Sequence, residues 1–388
     1  MRVLAIADDT TGAIEIGAKL AMAGAPTLVT TKTGLRADTE VLVVDAQTRR
    51  MSAREAHRHM VALARAAEAA GIEYLYKKTD STLRGHIAAE FEALLEVFGD
   101  RPLLYVPAYP AMGRTVVQGE LRVHGVPLRQ TAFAKDALNP AQEGSIPALL
   151  AAGTARPVRV VPDPGALTGL LKSAPGGSIL VCDGAADEDL TAAAAALAAS
   201  GRRCLAAGTA GFCGPWALSL PAPKHPLEAS VSVHRCLLVS GSRNPVSQAQ
   251  IQRAAERGVP VIPMGGNPAL DDGLARTAIA AFDRSPWVAA ATSGMSADDV
   301  AGRIGALVRR VWDERPPEGL VVFGGDTTAG VLRGLGITDL TPRGEVMPGA
   351  PLSLLEDAGR SIVLVTKAGG FGGPDVIAEL RRALEGGS

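Results

Sequence analysis

Cysteine is scarce and falls into no motif. Cys182, Cys204, Cys213 and Cys236 include no C-x-x-C pair, and 388 residues need no disulfide staples, so we read all four as buried thiols. Excess charge of either sign is also missing. Lys and Arg number 39 against 40 Asp and Glu, with no run of like charges, so no nucleic-acid or membrane partner is expected and any basic site must be local. No apolar stretch approaches the roughly 20 residues of a membrane span, and the apolar start meets Asp8-Asp9 too early for a signal peptide; the expectation is a cytoplasmic protein. His57 and His59 stand two apart on a predicted helix and point to different faces, which argues against a shared metal. Two nucleotide motifs are absent as well. No G-x-G-x-x-G follows a strand and no Walker loop occurs; the nearest imitation, Gly208-Thr-Ala-Gly211-Phe-Cys-Gly214, has the wrong spacing.

Glycine-rich turns are present instead, each directly after a short apolar run. Gly319-Leu-Val-Val-Phe323 leads into Gly324-Gly-Asp-Thr-Thr328, and Ser361-Ile-Val-Leu-Val-Thr366 into Lys367-Ala-Gly-Gly-Phe-Gly-Gly373. Strand, glycine, helix presents unpaired backbone N–H groups to phosphate, and the helix N-terminus adds partial positive charge. Glycines also end strands for steric reasons alone, but Lys367 and the Asp326-Thr-Thr trio add groups that phosphoryl chemistry uses. A third turn, Val239-Ser-Gly-Ser-Arg-Asn-Pro245, has the same form, with Ser240 and Ser242 able to donate to phosphate or ribose.

Short β-branched runs alternate with helical patterns throughout, which predicts an α/β protein of two domains with mainly parallel sheets flanked by helices. Strands are expected near 3–7, 27–30, 41–45, 74–77, 103–106, 158–161, 179–182 and 204–207 in the first half. In the second they are expected at 235–240, 259–263 and 287–292 and in the two runs above. Ser52 and Glu55 form a capping box for a helix to about Ala70. Pro245 and Pro374 suit first helical turns. Between Gly208 and Ser232 periodicity fails and prolines accumulate, so irregular, extended backbone is expected there. The division that follows is 1–215, a linker at 216–232 that acts as the hinge, and 233–388.

The first domain carries different chemistry. Asp8-Asp9-Thr10-Thr11-Gly12 closes the first strand; one aspartate can cap the following helix, leaving the other to accept a hydroxyl's hydrogen bond or proton. Lys77-Lys78-Thr79-Asp80-Ser81-Thr82-Leu83-Arg84-Gly85 packs cations, a carboxylate and hydroxyls into one turn. It suits a small polyhydroxylated anion, with Arg84 gripping a carboxylate and Asp80 and Ser81 reading hydroxyls. Arg49-Arg50 could add to it or be solvated surface. In Val106-Pro-Ala-Tyr-Pro-Ala-Met-Gly-Arg-Thr115 the prolines fix an irregular path, and Arg114 could face an anion or belong to a stiff connector.

Taken in order, Ala7-Asp-Asp-Thr-Thr-Gly-Ala13, Lys78-Thr-Asp-Ser-Thr-Leu-Arg-Gly85, Pro107-Ala-Tyr-Pro110 with Gly113-Arg114, Ser240-Gly-Ser242, Gly324-Gly-Asp-Thr327, Pro348-Gly349 and Thr366-Lys-Ala-Gly-Gly-Phe-Gly372 resemble the four-carbon acid sugar kinases over nearly the whole chain. That resemblance implies an ATP-dependent kinase of threonate, erythronate or 3-oxo-tetronate, with a sugar-acid domain followed by a nucleotide domain and the active site in the interdomain cleft. It places the acid on Asp8 or Asp9, Arg49 and the turn Lys78, Asp80, Ser81, Thr82, Leu83 and Arg84. ATP falls on Ser240 or Ser242, Gly324, Gly325, Asp326, Thr327, Lys367, Gly369, Gly370 and Gly372. The mechanism expected is in-line transfer from MgATP to the terminal hydroxyl, with Asp9 as base or orienting group and Asp326 helping to hold Mg²⁺, directly or through water. Direct metal ligands, the preferred acid and the oligomeric state, a homodimer among the options, stay open. Two rivals are a non-catalytic sugar-acid and nucleotide sensor and an NAD-dependent hydroxy-acid dehydrogenase, which the missing dinucleotide fingerprint disfavours.

Overall fold

All five residues of β1 (Val3–Ala7) are apolar and buried, the pattern of a strand covered on both faces, and six later strands are likewise buried at every position. The computed structural model describes residues 2–386 apart from 33, 37, 136–142, 222–224, 226–230, 266–270, 293–296 and 358. The chain divides into two compact units, Met1–His225 and Pro226–Ser388.

In the first unit β1 is followed by α1 (Thr10–Met22), β2 (Thr27–Thr30), β3 (Val41–Asp45), α2 (Ala53–Ala69), β4 (Tyr74–Lys78), α3 (Ile87–Val97) and β5 (Leu103–Val106). A small antiparallel meander comes next, β6 (Arg114–Val117), β7 (Glu120–Val123) and β8 (Val126–Pro127). The unit continues through α4 (Ile146–Ala151), β9 (Val158–Val161), α5 (Leu167–Ser173), β10 (Ile179–Cys182), α6 (Asp187–Ser200), β11 (Leu205–Gly208) and α7 (Ala210–Ser219). Its main strands are all parallel, in the order β2-β3-β1-β4-β11-β5-β10-β9. The chain leaves β1 towards β2 on one side and leaves β4 towards β5 on the other. Between β1 and β4, therefore, the connections part and open a crevice at the carboxyl ends of the strands.

The second unit runs β12 (Cys236–Ser240), α8 (Pro245–Glu256), β13 (Val261–Met264), α9 (Asp271–Ala281), β14 (Trp287–Thr292), α10 (Ala297–Glu314), β15 (Gly319–Phe323), α11 (Gly325–Leu335), β16 (Asp339–Met347), β17 (Ala350–Asp357), β18 (Arg360–Lys367) and α12 (Val376–Glu385). Its order is β13-β14-β12-β15-β18-β17-β16, parallel as far as β18 and antiparallel beyond. Here the connections part between β12, which leads to β13, and β15, which leads away to β16. Helices α10 and α11 meet along a glycine seam. A Cβ on Gly330 would lie 2.3 Å from the Ala301 carbonyl oxygen, one on Gly305 2.4 Å from that of Gly330, and one on Gly334 2.5 Å from that of Gly305. Backbone therefore packs directly on backbone.

The capping box at Ser52 and Glu55 forms as expected, and Pro245 opens α8 with Asn244 as its cap. Two expectations need correction. Residues 210–219 are helical, with Pro215 inside the helix, although the prolines predicted irregular backbone; within the predicted linker at 216–232, residues 222–224 and 226–230 lie outside the described residues. Helix α7 is apolar on several faces, so it shows no amphipathic period, and the burial of Phe212 and Trp216 against Tyr76 outweighs a proline cost of about 3 kcal/mol. Pro374 precedes the cap of α12 rather than entering its first turn. Cys182, Cys213 and Cys236 are buried free thiols and Cys204 is half-buried. Among the described residues no helix is long and apolar enough to cross a membrane.

Candidate functional site

The first crevice gathers the acidic and basic residues singled out in the sequence. Asp8 and Asp9 end β1, Arg49 lies in the 3₁₀ turn after β3, and residues 79–85 form the loop after β4. Arg49 organises them. Its Nε and Nη2 donate to the two oxygens of Asp8 at 2.7 and 2.9 Å, its Nη1 donates to Asp9, and its Nη2 lies 3.5 Å from Asp80. Asp80 organises the turn in the same way: it accepts from the Thr82 N–H at 2.9 Å and from the Thr82 hydroxyl, and takes a fork from Arg84 at 3.0 and 2.7 Å. Leu83 is held in the left-handed region at φ 60° to close that turn. Gly85 admits no side chain because a Cβ would sit 3.0 Å from Asp8 Oδ2.

Burial alone would raise Asp8 and Asp80. For Asp8 it is outweighed by Arg49, Lys77 and Lys78, and for Asp80 by Arg84 and Arg49, so both carboxyls titrate below the ordinary value of 3.8. Beneath the site Lys77 pairs with Glu90 at 3.1 Å, both fully buried, and Glu90 accepts from the Thr48 hydroxyl beside Arg49. Lys78 donates to the Thr79 carbonyl at 3.0 Å and lies 3.7 Å from Glu15. Asp9 differs from its neighbours. Its Oδ1 caps α1 by accepting from the Gly12 N–H at 2.8 Å, and its side chain is 25% exposed against 3% for Asp8 and 8% for Asp80, so it is the aspartate that a hydroxyl can reach. Ser81 is partly exposed in the same turn.

The second unit brings together its three glycine turns, which end the adjacent strands β12, β15 and β18. A Cβ on Gly241 would lie 2.6 Å from Thr327 Oγ1, and one on Gly369 2.6 Å from Ser242 Oγ, so the glycine backbone of one turn lies against a hydroxyl of the next. Gly324 takes φ 100° to enter α11, whose first turn carries Gly325, Asp326 and Thr327. The last turn, with Gly369, Gly370 and Gly372, is held by three side chains. Lys367 Nζ donates to the carbonyls of Ala368 at 2.9 Å and Phe371 at 2.8 Å and sits 4.3 Å from the centre of the Phe323 ring. Ser247 donates to the Gly369 carbonyl at 2.6 Å, and Gln250 Nε2 reaches the carbonyls of Phe371, Gly372 and Gly373. Ser247 and Gln250 were not foreseen; the only signal for them was a polar i, i+3 pair on the inward face of an otherwise solvated helix. With these carbonyls bound by side chains and the Phe371 N–H donating to the Ala368 carbonyl at 3.1 Å, the other amides of the turn are the candidates for an anion.

The sequence also matches two family models, a sugar-binding N-terminal domain over residues 3–215 and a nucleotide-binding C-terminal domain over 275–377. It is 30% identical to a D-threonate kinase of Bordetella bronchiseptica, over 98% of this chain and 96% of that one. To a D-erythronate kinase of Heliobacterium modesticaldum it is 28% identical over 96% and 94%, and to a 3-oxo-tetronate kinase of Burkholderia multivorans 26% over 98% and 97%. Among solved structures it is similar to a protein of Salmonella typhimurium, at 22% identity, 98% coverage of both chains and a TM-score of 0.82, which speaks for the fold. It also resembles a Bordetella bronchiseptica protein described as a domain-swapped dimer with bound citrate, at 27% identity, 99% coverage of both and a TM-score of 0.51. Motifs, site geometry and full-length similarity agree: this chain is a member of the four-carbon acid sugar kinase family.

Proposed function

We propose that this kinase transfers the γ-phosphoryl group of ATP to the terminal C4 hydroxyl of a four-carbon sugar acid, with threonate, erythronate and 3-oxo-tetronate as candidate substrates. The observation that carries this reading is the convergence of three glycine turns at the ends of the adjacent strands β12, β15 and β18, in a chain whose first unit presents a reachable aspartate at the parting of β1 and β4. Ser240, Ser242, Gly324 to Thr327, Lys367 and the 369–372 turn hold the nucleotide; Asp8, Arg49 and the residues 78–84 shape the acid site. Asp9 accepts the hydroxyl's proton or its hydrogen bond as the oxygen attacks phosphorus. The charge that shifts onto phosphate oxygens is met by backbone amides and Lys367.

Among the described residues no cluster of three acidic, histidine or cysteine side chains could hold a metal by itself. Mg²⁺ keeps most of its waters and takes oxygen ligands, so phosphates, water and the exposed carboxylate of Asp326 fit it. It would neutralise phosphate charge. The setting expected is the cytoplasm and the assembly a homodimer, in line with the dimeric Bordetella relative.

The test is ADP release with MgATP against D- and L-threonate, D- and L-erythronate and their 3-oxo forms, with the phosphorylated carbon located by NMR. Release with at least one acid and phosphate on C4 is expected. Binding of acid and ATP without ADP would replace the kinase by a sensor, and a nicotinamide absorbance change with these acids would make it a dehydrogenase.

Lys367 gives a second expected result. Burial pushes its ammonium down to about 8 from the ordinary 10.5. A triphosphate beside it raises that value in the complex, so above the free value binding takes up a proton, and ATP affinity falls with rising pH by at most about tenfold per unit. Calorimetric titration across this range should show that fall in the wild type and a weak, flat profile in Lys367→Met. A flat wild-type profile would place the phosphates away from Lys367.

A further inference from the structure

We propose that Arg114 holds the carboxylate of the acceptor acid, so that the acid lies with its charged end on the loop after β5 and its terminal hydroxyl at Asp9. This assignment rests on the kinase reading above and gives the substrate a direction within that site.

A carboxylate needs a cation with donors to spare, and the basic residues around the crevice are otherwise engaged. The guanidinium of Arg49 is closed on Asp8 and Asp9, that of Arg84 is closed on Asp80, Lys77 is paired with Glu90, and Lys78 is bound to a carbonyl beside Glu15. Opening either arginine fork to admit a substrate would leave a buried aspartate without its counter-ion. Arg114 is arranged differently. Among the described residues it has no carboxylate within ion-pair distance; its Nη1 donates to the Met112 carbonyl, its guanidinium faces the Phe133 ring at 5.6 Å, and its Nε is buried with no acceptor. Asp80, Arg84 and Glu15 act on it through space without touching it, and burial pushes its pKa down where carboxylates push those of Arg49 and Arg84 up.

Its backbone is fixed. The Tyr109 N–H donates to the Arg114 carbonyl at 2.7 Å, the Arg114 N–H to the Tyr109 carbonyl at 3.0 Å, and the His124 N–H to the Gly113 carbonyl at 2.7 Å. Gly113 takes φ 70°, and a Cβ there would strike the His124 ring. This rigid loop leaves the same carboxyl edge of the sheet as Asp8 and Asp80. It lies two strands from β4, roughly 10 Å away, a span that an arginine side chain and a four-carbon acid together can fill.

The experiment compares wild type, Arg114→Met and Arg114→Lys by calorimetric binding of the C4 acids and of their uncharged amides, with steady-state ADP release and melting temperature alongside. Arg114→Met should weaken acid binding and raise the KM for acid about 30-fold or more, leave ATP binding and melting temperature unchanged, and bind the amide as the wild type does. Arg114→Lys, which keeps the charge without the fork, should recover part of the loss. Unchanged acid binding in Arg114→Met, or equal losses for acid and amide, would overturn the assignment while leaving the kinase intact. A wild type that neither binds nor phosphorylates any C4 acid would remove the kinase reading and this assignment with it.

Discussion

Asp9→Asn is expected to lower kcat about a hundredfold or more, the usual scale of a lost general base. The two oxygens of Asp9 have separate partners, the Gly12 N–H on Oδ1 and Arg49 Nη1 on Oδ2. Oδ1 caps α1 through the Gly12 N–H, and asparagine caps a helix as well as aspartate does, so the fold should hold. What changes is the charge and basicity at the exposed edge of the carboxyl group. Steady-state ADP release, together with calorimetric ATP binding and a melting curve, checks this: kcat should fall while ATP affinity stays within error and the melting temperature drops only by the weakening of one contact to Arg49, whose fork on Asp8 is kept. Near-normal turnover would take the proton-accepting role from Asp9.

Arg49→Met should have the largest effect on stability. The substitution removes the fork that serves Asp8 and the contacts to Asp9 and Asp80, in a place where Asp8 is only 2% exposed. Removing one partner of a buried ion pair typically costs about 3–5 kcal/mol. Its pH dependence follows from the shifts. In the wild type Asp8 and Asp80 titrate below 3.8, so their contribution is present at neutral pH and is lost as the pH falls from 3.8 through their folded values. In the variant burial has less opposition, so Asp8 is costly while charged and is relieved by protonation. The gap in melting temperature between wild type and variant should therefore be widest near neutrality and close in acid. A gap that does not vary with pH would show that packing, not charge, is what Arg49 contributes.

Most strands were legible because parallel strands covered on both faces read as short apolar runs; β1, β3 and β15 are buried at every position. The last three strands were only partly so. The run at 361–366 announced β18, but β16 and β17 carry Pro342, Gly344 and charged residues that mask their alternation. Helix α7 escaped because proline was counted and burial could not be. For the site, composition gave the turns but not their company. Nothing in the order of residues says that β1 lies beside β4, or β12 beside β15, and those adjacencies bring Asp8 to Asp80 and Gly241 to Thr327. The partners of the arginines were equally hidden. Arg84 was expected to grip a substrate carboxylate and instead grips Asp80, since a fork-shaped donor takes the nearest buried acid.

The seam between α10 and α11 has a bearing on how such a protein can change over time. Gly305, Gly330 and Gly334 set the spacing of the two helices by main chain alone, and α11 begins at the residues assigned to the phosphates. Mutational drift in the surrounding side chains can thus alter the outer surface of this layer without displacing the proposed triphosphate seat. A single methyl group added at Gly330, a full turn and more downstream of Asp326, would push that seat aside, so tolerance to substitution should drop sharply at three positions that touch no ligand.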